Sequence, residues 1–549
     1  MPKVLPLGVS EATFAHALRE FAAIVGEQAV LSGDEQLDPY RDAYSLRWND
    51  PDEYLASAVV LPQSVEQVQA VVRIGGKFKI PLYPISTGKN LTYGGAAPTA
   101  SGSVIVDLKR MNRILQIDEK RAFALVEPGV TYFDLYQHIK DRGLKLWLDV
   151  PDPGYGSFIG NALEHGVGYT ASPFRDHFGS HCGLEVVLAD GTVMRTGMGA
   201  LPSGESWQEC RYAVGPAVDG LFAQSNFGIV TKMGFWLMPQ PEAWLTVAVS
   251  VPDYTDLGKL IEEVNYLEDS GIMTGRPVYN SSGFHPFEGR FPSAAPRIAL
   301  EELMADGWPS LEQIKTYVLR HGGPAWKATL QFYGPEEVIR ANWEYAFDRL
   351  AKAVPGSSYA NLEVQPLPLT PEQEKRYRLV DFGIPNMQLF EMTAPEIAAA
   401  ELHAPVQGHV DFLAVLPRTV EAVHRAQKII YDTQRTMNAP VTATPFHAPI
   451  AWHHRCFLMG APTIAVYKGD TQQVQKARAL YEAYMENMAA AGFAAYRTNP
   501  AMQDRLVAQH SFGGHALLRF QERLKDAIDP DGILAPGRYG IWPQRFRKA

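Results

Sequence analysis

The stretch "PLYPISTGKNLTYGGAAP", Pro81–Pro98, decides the fold. In it an apolar run breaks into a loop where Gly88, Lys89 and Asn90 adjoin, and Tyr93 then stands against Gly94 and Gly95. Glycine reaches positive φ without a Cβ clash, so such a loop can turn successive backbone N–H groups toward a phosphate. An ordinary Gly-rich surface turn has the same composition, and the flanking elements must decide between the two. Upstream, "YLASAVVLP" reads as a strand, and Ser64-Val65-Glu66-Gln67 reads as a capping box that opens a helix with Val65, Val68, Val71 and Val72 on one face. "IPLYPIS" is the next strand. The loop therefore closes a β-α-β unit, where phosphate-binding loops sit in α/β proteins.

Further along, "SVIVDL", "ILQID" and "FALVEPG" read as short strands, and Thr131 to Asp134 caps a helix that carries Leu135 and Ile139 and stops at Gly143. "LEVVLADGTVMRTG" reads as a hairpin whose Asp190-Gly191 suits a type I′ turn. After "FWLMPQPEAW" the text changes to strand followed by helix, about four times over: "WLTVAVSVP" with "YTDLGKLIEEVNYL", "KATLQFYGP" with "EEVIRANWEYAFDRLAKAV", "VDFLAVLP" with "RTVEAVHRAQKIIYDT", and "TIAVYKGD" with "TQQVQKARALYEAYMENMAA". The stripe Val474, Ala477, Leu480, Tyr481, Tyr484 and Met488 on the last helix reads as core packing. Strands with one-sided helices imply an antiparallel sheet covered on one face. "LKDAIDPDGILAPGRYGIWP" returns to the Gly/Pro-rich style of the first half. The expected class is α+β, with residues 1–240 and 496–549 forming one split domain around a second at 241–495.

The 549 residues, 46% hydrophobic and 20% charged, suit a globular protein of several domains. A formal charge of −10 and the lack of any Lys/Arg block give no footprint for nucleic acid. Cys182, Cys210 and Cys456 have no CxxC spacing, which suits a reducing compartment and argues against a disulfide framework or a cysteine-rich metal site. No run of about 18 apolar residues is present, so the expectation is a cytoplasmic chain with no membrane partner. "GYGSFIG" has the wrong spacing for a dinucleotide fingerprint, and the adjacent His453-His454 would point to opposite faces of a strand, so no metal pair is expected. The chain contains neither a GxSxG elbow nor a P-loop.

The motifs "PISTGKNLTYGGAAP", "VEPGVTY", "GNALEHGVGYT", "EVVLADG", "RTGMGALP", "QSNFGIVTKMGFWLMP", "YRTN" and "AIDPDGILAPGRYGI" occur in the order in which they stand in the vanillyl-alcohol oxidase/p-cresol methylhydroxylase family of flavoproteins. The chain resembles that family over nearly its whole length. The resemblance implies an FAD domain split between the chain ends and a central cap over the flavin. It implies that Ser86, Thr87, Gly88, Lys89 and Asn90 cradle the pyrophosphate, that Gly160 and Asn161 lie in a second contributing loop, and that Pro151, Gly228, Ile229 and Val230 also contact FAD. Arg538 matches a basic residue near the flavin N1–C2 locus. Tyr93, Tyr496 and Arg497 match the residues that hold a phenolic oxygen, Asp152 the catalytic aspartate near N5, and Tyr169 an active-site tyrosine. Phe412 and Thr444 match substrate-pocket walls.

The same resemblance implies oxidation of para-substituted phenols at the benzylic carbon, with O2 or a cytochrome as electron acceptor, in a homodimer or higher homo-oligomer. The alternatives are the flavoprotein subunit of a cytochrome-dependent hydroxylase and a non-catalytic electron-transfer flavoprotein. The chain departs from the family in two respects, the residue that links the flavin and the histidine that assists the linkage. Aligning Phe412 puts Val410 where relatives carry the flavin-linking histidine and Thr393 near the linking tyrosine, and "LDPYRDAYSLRWNDPDEY" lacks the histidine that assists linkage. The expectation is therefore FAD bound without a covalent link. His409, then His403, are the residues a link would use.

Overall fold

Residues 4–42, 44–172, 174–281, 302–321, 323–388, 407–439, 445–453, 455–461 and 463–547 are described in a computed structural model. The helix opened by Ser64 spans Val65–Phe78, the Ser64 hydroxyl accepting from Gln67 N–H at 3.3 Å. Its face of Val68, Val71 and Val72 is completely buried. The helix joins strands Ala58–Val60 and Leu82–Ile85, and both run parallel to Val104–Asp107, which lies between them. The loop quoted at the outset thus leaves the C-terminal end of a parallel strand. The chain's far end returns here: Leu82 N–H donates to Ile533 C=O, and Ala535 N–H donates to Leu82 C=O, each at 2.7 Å.

A second sheet is antiparallel, in the order Ile114–Asp118, Phe123–Val126, Ile229–Trp236, His181–Val187, Val193–Arg195. The turn in its last hairpin is not the expected type I′, which needs positive φ at both central residues. Only Gly191 has positive φ (80°), and Asp190 instead accepts from Thr192 N–H at 2.8 Å through its carboxylate.

The remaining large sheet has eight strands, ordered Ser358–Ala360, Ala243–Val251, Trp326–Gly334, Val278–Ser281, Ile450–His453, Cys456–Gly460, Leu413–Leu416, with Gln365–Pro366 beside Ala243–Val251. Its pairs are antiparallel. Alternation along each strand sends one set of side chains into a core under the helices Leu257–Asp269, Glu336–Ala353, Val420–Thr436 and Thr471–Ala490: Leu245, Val247 and Val249 from one strand, Ala328, Leu330 and Phe332 from the next. The other set faces away from the helices. One expected strand departs from the pattern, because Ile464–Tyr467 pairs with Gln407–Val410 in a separate two-stranded ribbon. Among the described residues no helix is long and apolar enough to cross a membrane, and no group of three His, Cys, Asp or Glu could hold a metal.

Candidate active site

The face of the eight-stranded sheet turned from its helices roofs a cavity of about 1110 Å³. Thr246, Val278, Thr329 and Gln331 are side chains of that roof. The floor is the loop Ser86 to Gly95, the segment Pro151-Asp152, the helix Phe158–Leu163 and the strand entry Gly228 to Val230.

The floor has the features a large dinucleotide needs. At Gly160 a Cβ would stand 2.3 Å from Ser86 Oγ, so the two contributing loops touch only because this residue has no side chain. Gly88 holds φ at 66°, in the region that favours glycine. Lys89 lines the cavity with no carboxylate at ion-pair distance among the described residues, and burial lowers its pKa. A cation without an anion beside glycine backbone fits a diphosphate. Thr87, Asn90, Pro151, Asn161, Ile229 and Val230 all line the same space. Arg538 does too, and its charge is shared: Nη1 donates to Tyr83 OH at 2.7 Å and Nη2 to Glu164, which also accepts from Tyr539 OH at 2.7 Å. Glu164 lies inside the quoted "GNALEHGVGYT", yet nothing in its spacing marks it as the partner of a residue 374 positions away.

Tyr93, Tyr496 and Arg497 come together at one place on the wall. Arg497 Nη2 donates to Tyr496 OH at 2.8 Å, and the guanidinium carbon lies 4.1 Å from the Tyr93 ring centroid. The Tyr93 and Tyr496 rings meet edge-on at 6.2 Å, with Trp452 against Tyr496 at 4.7 Å. Arg497 is buried, its Nε makes no hydrogen bond, and no carboxylate stands at ion-pair distance among the described residues. Burial opposes its charge, but the tyrosines and Glu164 hold its pKa above the ordinary value. Burial pushes the Tyr93 phenol well up, so it stays a donor.

Asp152 belongs to a second cluster. Arg378 Nη2 donates to its Oδ2 at 3.3 Å, and the Arg378 guanidinium carbon lies 4.1 Å from the Tyr169 ring centroid. Burial raises the Asp152 pKa, and Arg378 and Tyr169 pull it back. The Tyr169 phenol is pushed up to about 12, first by burial and then by Asp152. Arg378, Asp381 and Arg276 complete the cluster. No sequence signal marked these three, since they come from cap segments that carry none of the family motifs.

Side-chain alternation through residues 409–413 corrects one expectation and bears on a second. Phe412, expected on the substrate wall, is fully buried in the cap core against Tyr481 at 5.6 Å and Tyr484 at 6.1 Å. Its neighbours Asp411 and Leu413 line the cavity instead. The expectation of non-covalent FAD rests on Val410 standing at the histidine position, yet Val410 is fully buried in the same core while His409 lines the cavity. Successive residues of a strand point to opposite faces, so one position of register exchanges the two. The N-terminal segment that lacks the assisting histidine places Tyr44 edge-on to His409, ring centroids 5.0 Å apart. Thr444, Thr393, His403 and His454 lie outside the described residues.

Residues 56–197 match the family described as an FAD binding domain. The chain is 32% identical over 548 residues to the 4-cresol dehydrogenase (hydroxylating) flavoprotein subunit of Pseudomonas putida, covering 98% of each. Among solved structures it resembles 4-ethylphenol oxidase from Gulosibacter chungangensis in an isoeugenol complex, with a TM-score of 0.80 and 33% identity over 99% of this chain and 100% of that one. It resembles p-cresol methylhydroxylase with substrate bound equally well, at TM-score 0.80 and 30% identity over 98% and 99%. An α+β fold with a dinucleotide floor under a cap sheet is that of an FAD-dependent oxidoreductase. The chain belongs to the vanillyl-alcohol oxidase/p-cresol methylhydroxylase family of enzymes, the FAD-dependent para-phenol oxidoreductases.

Proposed function

We propose that the protein oxidises para-substituted phenols, such as 4-alkylphenols, 4-hydroxybenzylic alcohols and eugenol-like compounds, at the benzylic carbon. The observation that carries this reading is Arg497, a buried cation on the cavity wall with two tyrosines and, among the described residues, no carboxylate at ion-pair distance. A free phenol has a pKa of about 10 and is protonated at neutral pH. A fixed guanidinium with two phenol donors favours the charged form, so the substrate binds as phenolate. When bound, FAD supplies the acceptor for the hydride that leaves the benzylic carbon, and the phenolate becomes a p-quinone methide. Asp152 steadies that electron-poor carbon and takes the proton of the water that adds to it, a role suited to a buried carboxylate whose pKa is raised. Arg378 holds the carboxylate in place.

Anaerobic mixing with 4-ethylphenol is expected to bleach the yellow colour of the holoenzyme, and its methyl ether, which cannot ionise, is expected to leave it intact. A colour unchanged across a panel of para-alkylphenols would sink the reading. The named relatives include both an oxidase and a flavoprotein subunit. Re-admitting air decides which this chain follows: colour restored by O2 makes it an oxidase, and colour restored only by added cytochrome c makes it a dehydrogenase.

A further inference from the structure

Among the described residues four arginines line the cavity: Arg276, Arg378, Arg497 and Arg538. Arg538 pairs with Glu164, and Arg378 with both Asp152 at 3.3 Å and Asp381 at 3.7 Å. Arg497 is reserved for the phenolate. Arg276 is left over: only 5% exposed, it has no carboxylate at ion-pair distance among the described residues, and its Nε makes no hydrogen bond. Burial and the neighbouring Arg378 bring its pKa down to about 10, which leaves it charged at neutral pH. A buried cation that faces an open cavity with no carboxylate in direct contact favours an anion at its free N–H groups.

Its place says where that anion sits. The Arg276 guanidinium carbon lies 4.7 Å from the Tyr169 ring centroid, and the same ring carries Arg378, which binds Asp152. Arg497 packs instead on Tyr93 and Tyr496, its guanidinium carbon 4.1 Å and 4.9 Å from their ring centroids. The two arginines therefore belong to different clusters on the cavity wall, one around Tyr169 and one around Tyr93 and Tyr496. The oxygen and the side chain of a para-phenol project from opposite ends of its ring. With the oxygen on Arg497 and the benzylic carbon at Asp152, the rest of the side chain runs toward Arg276.

We propose that Arg276 receives an anionic group on the para side chain, so that the preferred substrates are 4-hydroxyphenyl compounds whose side chain ends in a carboxylate. This rests on the reading of the cavity as a para-phenol site. A guanidinium offers a carboxylate two parallel N–H donors, a geometry no neutral side-chain end can use. Asp152 and Asp381, the acidic groups nearby, both pair with Arg378, and among the described residues neither stands at ion-pair distance from Arg276.

The test reads binding without turnover, on holoenzyme reduced beforehand with dithionite. 4-Hydroxyphenylacetate and 3-(4-hydroxyphenyl)propionate are each titrated calorimetrically against their primary amides. At least one acid is expected to bind about tenfold or more tighter than its amide, the scale of a charged hydrogen bond. In Arg276→Gln that ratio is expected to collapse toward one, and in Arg276→Lys to recover in part. The wild-type ratio needs no variant: if neither acid is preferred over its amide, the inference is overturned, as it is if Arg276→Gln keeps the preference. Bleaching of the oxidised enzyme by 4-ethylphenol is scored separately. Bleaching without an acid preference overturns this inference alone, whereas an Arg276-dependent acid preference with no para-phenol bleaching sustains it and overturns the oxidation reading.

Discussion

Arg497 and Asp152 divide the chemistry between them, and each predicts a different loss. Arg497 carries the permanent charge among the three groups at the phenolic oxygen, so Arg497→Ala is expected to lower kcat/KM by roughly 10- to 150-fold, the worth of a charged hydrogen bond of about 1.5–3 kcal/mol. Tyr93→Phe removes a neutral donor and is expected to cost about 1 kcal/mol. Equal losses in the two variants would contradict phenolate binding. Asp152→Ala is expected to slow stopped-flow flavin reduction far more than it weakens binding of an unreactive phenol. Its rival description, a turn residue before Pro153, predicts the reverse, with thermal stability falling and flavin reduction spared. Asp152 could be read from the sequence by family resemblance. Arg378 could not, because the ion pair spans 226 positions.

At the scale of elements, the cap strands decide what reaches the cavity. Each alternates between a helix-covered core and the roof, and a one-residue shift exchanges the two faces. Leu413–Leu416 shows it plainly: Ala414 and Leu416 are core, and Leu413 is roof. Gln407–Val410 obeys the same rule and brings His409, not Val410, to the cavity. A flavin link needs an imidazole at the cavity, and His409 stands there with Tyr44 packed beside it and Asp411 Oδ2 3.8 Å from Nε2. After denaturation in acid, the intact mass is expected to exceed that of the bare chain by one FAD, and to equal the bare chain in His409→Ala. A wild-type protein at the bare mass, with the yellow colour left in the supernatant, would show that His409 only lines the site.

Across the whole molecule, buried charge ties the segment ahead of the eight-stranded sheet to a helix that covers that sheet. Arg175, upstream of the cap strands, and Arg418, between the strand Leu413–Leu416 and the helix Val420–Thr436, both bind Glu268 on the helix Leu257–Asp269, and Arg418 also binds Asp269. Arg175 and Glu268 are 3% and 2% exposed, so neither charge has water to fall back on. Removing one member of such a pair strands the others. Glu268→Gln is expected to cost about 3–5 kcal/mol in urea unfolding. Glu336→Gln, at the exposed Arg340 pair, is expected to cost under about 1 kcal/mol. Similar costs for the two variants would show that the network contributes nothing to this tie.

The sequence by itself determined the local pieces: the capped helix after Ser64, the Gly-rich loop at the end of a strand, the strand-helix repeats of the cap, and the grouping of Tyr496 with Arg497. These are legible because capping, glycine backbone freedom and side-chain periodicity act over a few residues. The tertiary structure decided the rest: which face of each cap strand looks into the cavity, that Glu164 neutralises Arg538, that Arg378 and not a neighbour in sequence holds Asp152, and that Arg276 has, among the described residues, no carboxylate at ion-pair distance. Each of these depends on register between strands or on ion pairs between residues hundreds of positions apart. Charges buried in one cavity interact through space with an energy set by distance and burial, and neither is written in the spacing of residues along the chain.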